Sequence, residues 1–117
     1  MRFLAALVAV GVLAGGAGAG RVTSGLYGTV TRGPITPVCR AGTPCSAPAS
    51  GAVLVFLRMG REEGRVRAQH DGTYRITLPS GTYAVRVVPA RPLRPAAAWV
   101  RASHFRHVDF SIDTGIR

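Results

Sequence analysis

The chain has 117 residues, of which 47% are hydrophobic, and 15 basic against five acidic side chains give a formal net charge of +10. This length excludes more than one domain of ordinary size. The basic side chains are all arginine, and no basic segment is interleaved with stacking aromatic residues, so we do not expect nucleic acid as a partner. A cationic domain is attracted instead to anionic surfaces such as cell-wall polymers, lipid headgroups and acidic glycans.

The first twenty residues have the pattern of a secretory signal peptide. A basic start at Arg2 precedes the apolar run Phe3–Ala14, and Ala17-Gly18-Ala19 fits a cleavage site. The apolar run is shorter than the roughly 20 residues that span a bilayer. We therefore expect a signal peptide at 1–19, cleavage after Ala19 and no transmembrane anchor afterwards. The remainder, 20–117, is predicted to be a single domain that is secreted or held in the periplasm or cell envelope.

Short extended segments follow one another along this remainder, and no segment has helical periodicity. Leu26–Thr31 and Arg65–Gln69 alternate apolar and polar residues, which is typical of half-buried strands. Gly51–Arg58 is apolar on both faces, which favours a central strand covered on both sides. Ala97–Arg101 and Phe105–Asp113 are predicted to be the last two strands. Met59–Gly64 is predicted to be a turn.

The most regular alternation lies in Asp71–Val88, which we interpret as an antiparallel hairpin around Pro79-Ser80-Gly81. In this hairpin Arg75 and Arg86 would stand on one outer face, with Arg67 nearby if its strand pairs alongside. The residues predicted to face the core are Tyr74, Ile76, Leu78, Tyr83, Val85 and Val87. About seven short strands with regular turn signals favour an all-β, two-sheet Greek-key sandwich.

Two proline-rich loops, Gly33–Ser50 and Pro89–Ala96, connect predicted strands, and the first contains Cys39 and Cys45. In an exported protein a disulfide is the expected state of this pair. A loop this small contributes only about 2 kcal/mol by the chain-entropy estimate. The alternative is a redox or metal-binding pair, but the spacing is wider than in those motifs and no further cysteine completes a zinc site.

Four motifs in order resemble the carboxypeptidase regulatory-like domain over roughly residues 26–112. They are Gly28-x-Val30, Gly51-Ala52-Val53-Leu54-Val55, Asp71-Gly72-x-Tyr74 and Leu78-Pro79-x-Gly81-x-Tyr83-x-Val85. The resemblance implies a transthyretin-like (prealbumin-like) β-sandwich of the kind grouped with carbohydrate-binding-like folds. It also implies a module without a catalytic centre of its own. The loop with the cysteine pair departs from the family pattern.

The sequence predicts no catalytic, cofactor-binding or metal-binding residues. Glu62-Glu63 is interpreted as a solvated turn, Ser80 as a turn residue, and the adjacent Ser103 and His104 as lacking the geometry of a triad. If His104 and His107 shared a strand, their odd spacing would send them to opposite faces.

Arg67, Arg75, Arg86 and Trp99 form the candidate ligand or partner face. The arginines fit either a solvated surface or a site for carboxylates, sulfates or phosphates. Trp99 fits either packing in the core or at a sheet edge, or a sugar platform. We therefore expect a non-catalytic interaction or structural module of the cell envelope, whose partner is an unidentified envelope protein, an anionic glycan or a cell-wall polymer. The alternative is a carbohydrate-binding module.

Overall fold

The computed structural model describes residues 23–116, and the predicted signal peptide lies outside them. Within this range the chain is built of strands and has no helix. The strands are β1 (Gly25–Gly33), β2 (Ala47–Pro48), β3 (Val53–Arg58), β4 (Arg61–Arg67), β5 (Thr73–Thr77), β6 (Gly81–Val88), β7 (Leu93–Arg94), β8 (Ala97–Val100), β9 (Phe105–His107) and β10 (Phe110–Asp113). Seven of these have four or more residues, in agreement with the number expected from the sequence.

The strands form two sheets, and the all-β sandwich predicted from the sequence is confirmed. In the six-stranded sheet β1 is central. One of its edges pairs antiparallel with β5 and β2, and the other pairs parallel with β9 and β10, beyond which lies β7. The four-stranded sheet has the order β4-β3-β6-β8, with all neighbours antiparallel.

A single apolar layer fills the space between the sheets. Alternate residues of β1 and β5 face alternate residues of β3 and β6 across it, as the period of two requires. Phe56 of the four-stranded sheet meets Phe110 of the six-stranded sheet edge to face, with ring centroids 6.2 Å apart. The largest fully buried side chains are Tyr83, Phe56, Phe110, Leu26, Leu54, Leu78 and Val30.

The predicted hairpin of Asp71–Val88 is wrong in its pairing. β5 pairs with β1 in one sheet, whereas β6 pairs with β3 and β8 in the other. The side chains predicted to be inward are all buried, but they reach the core from opposite sides. The two strands are thus joined by an arch across the edge of the sandwich.

The arch forms because Leu78 is held in the six-stranded sheet beyond the end of β5. Its amide donates to the carbonyl of Ser24 at 3.0 Å, and the buried Ser24 hydroxyl donates to the Leu78 carbonyl at 2.7 Å. The next residue, Pro79, has no amide hydrogen with which to continue a ladder. Its carbonyl accepts the Tyr83 hydroxyl at 2.5 Å, which fixes the start of β6 beneath the arch.

The connection between β3 and β4 is a true hairpin and is shorter than predicted. Only Met59 and Gly60 form the turn, with φ of 53° and 78°, values typical of a type I′ connection. The rest of the predicted turn pairs with β3, with a register shift between Phe56 and Leu57. Glu62 and Glu63 therefore lie in a strand rather than in a solvated turn.

Cys39 and Cys45 are joined by a disulfide, as expected, with their Cα atoms 5.4 Å apart. The bond closes a small loop on the exposed side of Gly33–Ser50 and is consistent with an oxidising, extracellular compartment. The predicted last strand, Phe105–Asp113, is divided into β9 and β10 by Val108 and Asp109.

Candidate functional site

The structure separates the four residues predicted to form a partner face. Arg67, Arg86 and Trp99 stand on the outer surface of the four-stranded sheet, where their strands β4, β6 and β8 alternate outward. Arg75 lies on β5, on the outer surface of the other sheet. The expectation that Arg75 and Arg86 share a face is therefore wrong, because it depended on the pairing of β5 with β6.

The outer surface of the four-stranded sheet is a cationic surface with an apolar centre, which we call the arginine face. Residues paired across β4, β3 and β6 form rows on this surface. One row has Val55 between Arg65 and Arg86, and the next has Val53 between Arg67 and Val88. Val55 is only 7% exposed although it lies outside the core cluster. The register places the long side chains of Arg65 and Arg86 on either side of it, and the aliphatic stems of such side chains cover apolar surface.

Most of the positive charge on this face is not compensated by carboxylates. Arg65 makes a bidentate pair with Glu62, with both N–O distances at 2.8 Å, and this pair lowers the pKa of the Glu62 carboxyl. Arg67 donates to the Gly51 carbonyl at 3.1 Å. Among residues 23–116 no hydrogen bond or ion pair engages the side chain of Arg86. The guanidinium of Arg86 and the remaining N–H groups of Arg67 are thus available to an anion.

Trp99 lies on the edge strand of the same sheet and is 51% exposed. The guanidinium of Arg106, which comes from β9 in the other sheet, stacks on the indole with its carbon 3.6 Å from the ring centroid. The same side chain donates to the Trp99 carbonyl at 2.6 Å. One face of the indole is therefore occupied by a neighbour, and the edge of the strand is protected at this point.

A second cluster of polar and aromatic side chains lies on the opposite face of the sandwich. His107 stacks on Tyr27 with ring centroids 5.2 Å apart, and Arg75 stacks on Phe105 at 3.9 Å. Register explains the cluster, because Tyr27 is directly opposite both His107 and Arg75. This grouping was not predicted from the sequence, where only the spacing between His107 and His104 was considered.

Asp109 anchors one end of this second cluster. One of its carboxylate oxygens accepts the amide of Thr29 at 2.9 Å, the Thr29 hydroxyl at 3.1 Å and a ring N–H of His107 at 2.9 Å. The bonds from Thr29, followed by the interaction with His107, lower the pKa of Asp109. In a catalytic triad the histidine lies between the hydroxyl and the carboxylate. Here Thr29 and His107 both bind the same carboxylate oxygen, so these three side chains are not arranged as a triad.

His104 precedes β9 rather than sharing a strand with His107, and its Nδ1 lies 2.9 Å from the Ala102 carbonyl. In the part of the chain that the structure describes, no three His, Cys, Asp or Glu side chains lie together as they would around a metal ion. Over the same residues, no helix has the length and apolar character that a membrane crossing requires.

The two proline-rich loops meet at one end of the sandwich around an open cleft of about 350 Å³, which we call the end cleft. Its floor is apolar and made by the buried side chains of Ala49, Val87 and Ile112. Arg32 and Arg91 line its rim. Arg32 continues the inward row of β1 beyond Val30, which is the signal in the sequence that could have identified it.

Comparisons of this chain with protein-family models, with curated proteins and with solved structures found no match.

Proposed function

We propose that the chain is an exported, non-catalytic interaction module of the cell envelope that binds an anionic partner through its arginine face. The observation that carries this proposal is the pairing pattern of that face. Arg67 and Arg86 flank a covered apolar row and have no carboxylate partner among residues 23–116. A sheet surface of this kind suits an extended anionic polymer, because successive charges can meet arginines on different strands.

Three further observations support export and an envelope role. The N-terminal sequence has the order of a signal peptide, and the Cys39–Cys45 bond fits an oxidising compartment. The motifs that resemble the carboxypeptidase regulatory-like domain support the proposal, because that resemblance implies a sandwich that joins or accompanies other proteins rather than performs catalysis.

The test is binding of the purified protein to immobilised polygalacturonate, with neutral dextran as the control surface. We expect binding to polygalacturonate that weakens strongly between about 0.05 and 0.5 M salt, because the Debye length falls severalfold over that range. The variant Arg67→Gln/Arg86→Gln should lose most of the binding. Arg75→Gln is the matched control for the loss of one arginine, since it lies on the other sheet.

The proposal is wrong if binding is insensitive to salt or if Arg75→Gln weakens it as much as Arg86→Gln. The same assay on a glycan array addresses the alternative, a carbohydrate-binding module. Trp99 favours that alternative because half of its surface is exposed on the same side of the sandwich. Salt-insensitive capture of neutral glycans that is lost in a folded Trp99→Ala variant would establish the alternative instead.

A further inference from the structure

We propose that the end cleft is a second binding site and that it takes a small carboxylate carried on a short apolar body. The cleft adjoins the arginine face, with which it shares Val88, and Arg67 of that face donates to the carbonyl of Gly51 in the cleft lining. Its floor and its two arginines are separate from that face, so the proposal does not depend on the proposed function. It lies between the loops Gly33–Ser50 and Pro89–Ala96, where the two sheets part.

The floor of the cleft determines the apolar part of the ligand. Ala49, Val87 and Ile112 are 3%, 4% and 7% exposed, and their side chains carry no group that binds water. Water above such a floor forgoes hydrogen bonds, and an apolar body that displaces it gains the hydrophobic free energy. A volume of about 350 Å³ lies at the small end of the range of ligand sites, so it suits a short apolar body rather than a large one.

The rim of the cleft determines the head group. Arg32 and Arg91 both line the opening, and neither side chain has a hydrogen bond or ion pair among residues 23–116. A guanidinium presents parallel N–H groups that match the two oxygens of a carboxylate. An apolar floor beneath two cations therefore fits an amphiphile with a single carboxylate.

The chain positions these groups by ordinary strand geometry. Arg32 pairs in register with Ile112 and follows the inward-facing Val30, so it emerges where the core ends. Val87 is the last inward residue of β6, which places the loop that bears Arg91 directly across the opening. The site is thus formed from the ends of both sheets.

The experiment is a titration of the ¹⁵N-labelled purified protein with sodium octanoate, followed by amide chemical shifts. We expect saturable shifts centred on Ala52, Val87 and Ile112. Acetate, which has the charge without the body, and 1-octanol, which has the body without the charge, should each bind at least tenfold more weakly. A second arm uses N-acetyl-alanyl-leucine. Its binding relative to octanoate distinguishes a peptide carboxyl terminus from a free acyl carboxylate as the source of the same chemistry.

Two variants and a control make the test specific. Arg32→Gln/Arg91→Gln should weaken octanoate at least tenfold, and Ala52→Leu should fill the cleft and abolish the saturable shifts. Arg101→Gln is the matched control, because Arg101 is exposed and follows Val100, which pairs with Gly81 at the opposite end of β6. The proposal is overturned if octanoate gives no saturable shifts, if octanol binds as tightly, or if Arg101→Gln has the same effect as the double variant.

Discussion

The hydroxyl of Tyr74 offers the most direct test of how the sandwich is connected. Tyr74 is 3% exposed in β5, and its hydroxyl donates at 2.6 Å to the carbonyl of Val108, which lies between β9 and β10. This bond passes over β1 at Gly28, which stands opposite Tyr74. A β-carbon on Gly28 would overlap the Val108 carbonyl oxygen, so the glycine leaves room for the accepting carbonyl. The bond can form only if β5 pairs with β1 and not with β6.

We expect Tyr74→Phe to lower the free energy of unfolding by about 1–3 kcal/mol. The ring remains, so no cavity opens, but a partly buried carbonyl loses its donor and its desolvation is no longer compensated. For a domain of this size each kcal/mol lowers the melting temperature by roughly 4–8 °C. Equilibrium unfolding in urea measures the change, and the slope with denaturant should be unaltered. Tyr27→Phe is the control, since Tyr27 is 40% exposed.

Alkaline pH provides a second measurement on the same residue. Burial raises the pKa of Tyr74 well above its usual value of about 10. Because the folded protein favours the neutral phenol, this contribution to stability is complete below about pH 10 and declines as the pH rises further. Tyr74→Phe should reduce that decline. For Tyr27→Phe we expect a change in stability within about 0.5 kcal/mol. An equally small effect of Tyr74→Phe would refute the stabilising role of the Tyr74–Val108 bond.

Three further predictions test separate parts of the fold. Thr29→Val removes the hydroxyl that donates to Asp109, so the pKa of the Asp109 carboxyl in an NMR pH titration should rise. It should stay below the ordinary value, because the amide of residue 29 still donates to the carboxylate. An unchanged pKa would contradict the assigned contact. Cys39→Ser/Cys45→Ser should remain folded and lose no more than about 2 kcal/mol, and loss of the cooperative urea transition would show that the disulfide holds the core. Gly25→Ala should abolish or severely weaken folding, because a β-carbon there would overlap the Ile76 carbonyl oxygen. Gly42→Ala, in the exposed disulfide loop, should cost only about 1–3 kcal/mol of backbone strain. Equal melting temperatures for the two variants would refute the close approach at Gly25.

Alternation in the sequence determined which side chains are buried, but it could not determine which strands are neighbours. Tyr74 and Ile76 were placed inward correctly, as were Val85 and Val87. Their sheet partners depend on Ser24 and on β3, which are distant in sequence, and local periodicity carries no information about them. A short Pro-Ser-Gly connection fits a hairpin and an arch equally well until the bonds of Leu78 are known.

The candidate sites could be predicted only in part, again because local periodicity does not show which strands are neighbours. Arg67 and Arg86 were assigned to outward positions correctly, whereas the grouping with Arg75 required the wrong pairing. Core packing of Trp99, one of the possibilities left open, is excluded by its exposure of 51%. The cluster of Tyr27 with His107 depends on a parallel pairing between the start and the end of the domain. Arg32 could have been predicted, because it lies two residues after the inward-facing Val30 and therefore on the same side of β1, at the end of the core.

The central position of β1 has a consequence for how the polypeptide matures. Of the strands in residues 23–116, β1 is synthesised first, yet the segments that complete one of its edges, β9 and β10, are synthesised last. Until residue 113 has been delivered, that edge is exposed to pairing with other chains, and bringing such distant segments together is intrinsically slow. Chaperones or rapid export would therefore favour soluble protein, and truncation before Phe105 should yield aggregates rather than a smaller domain.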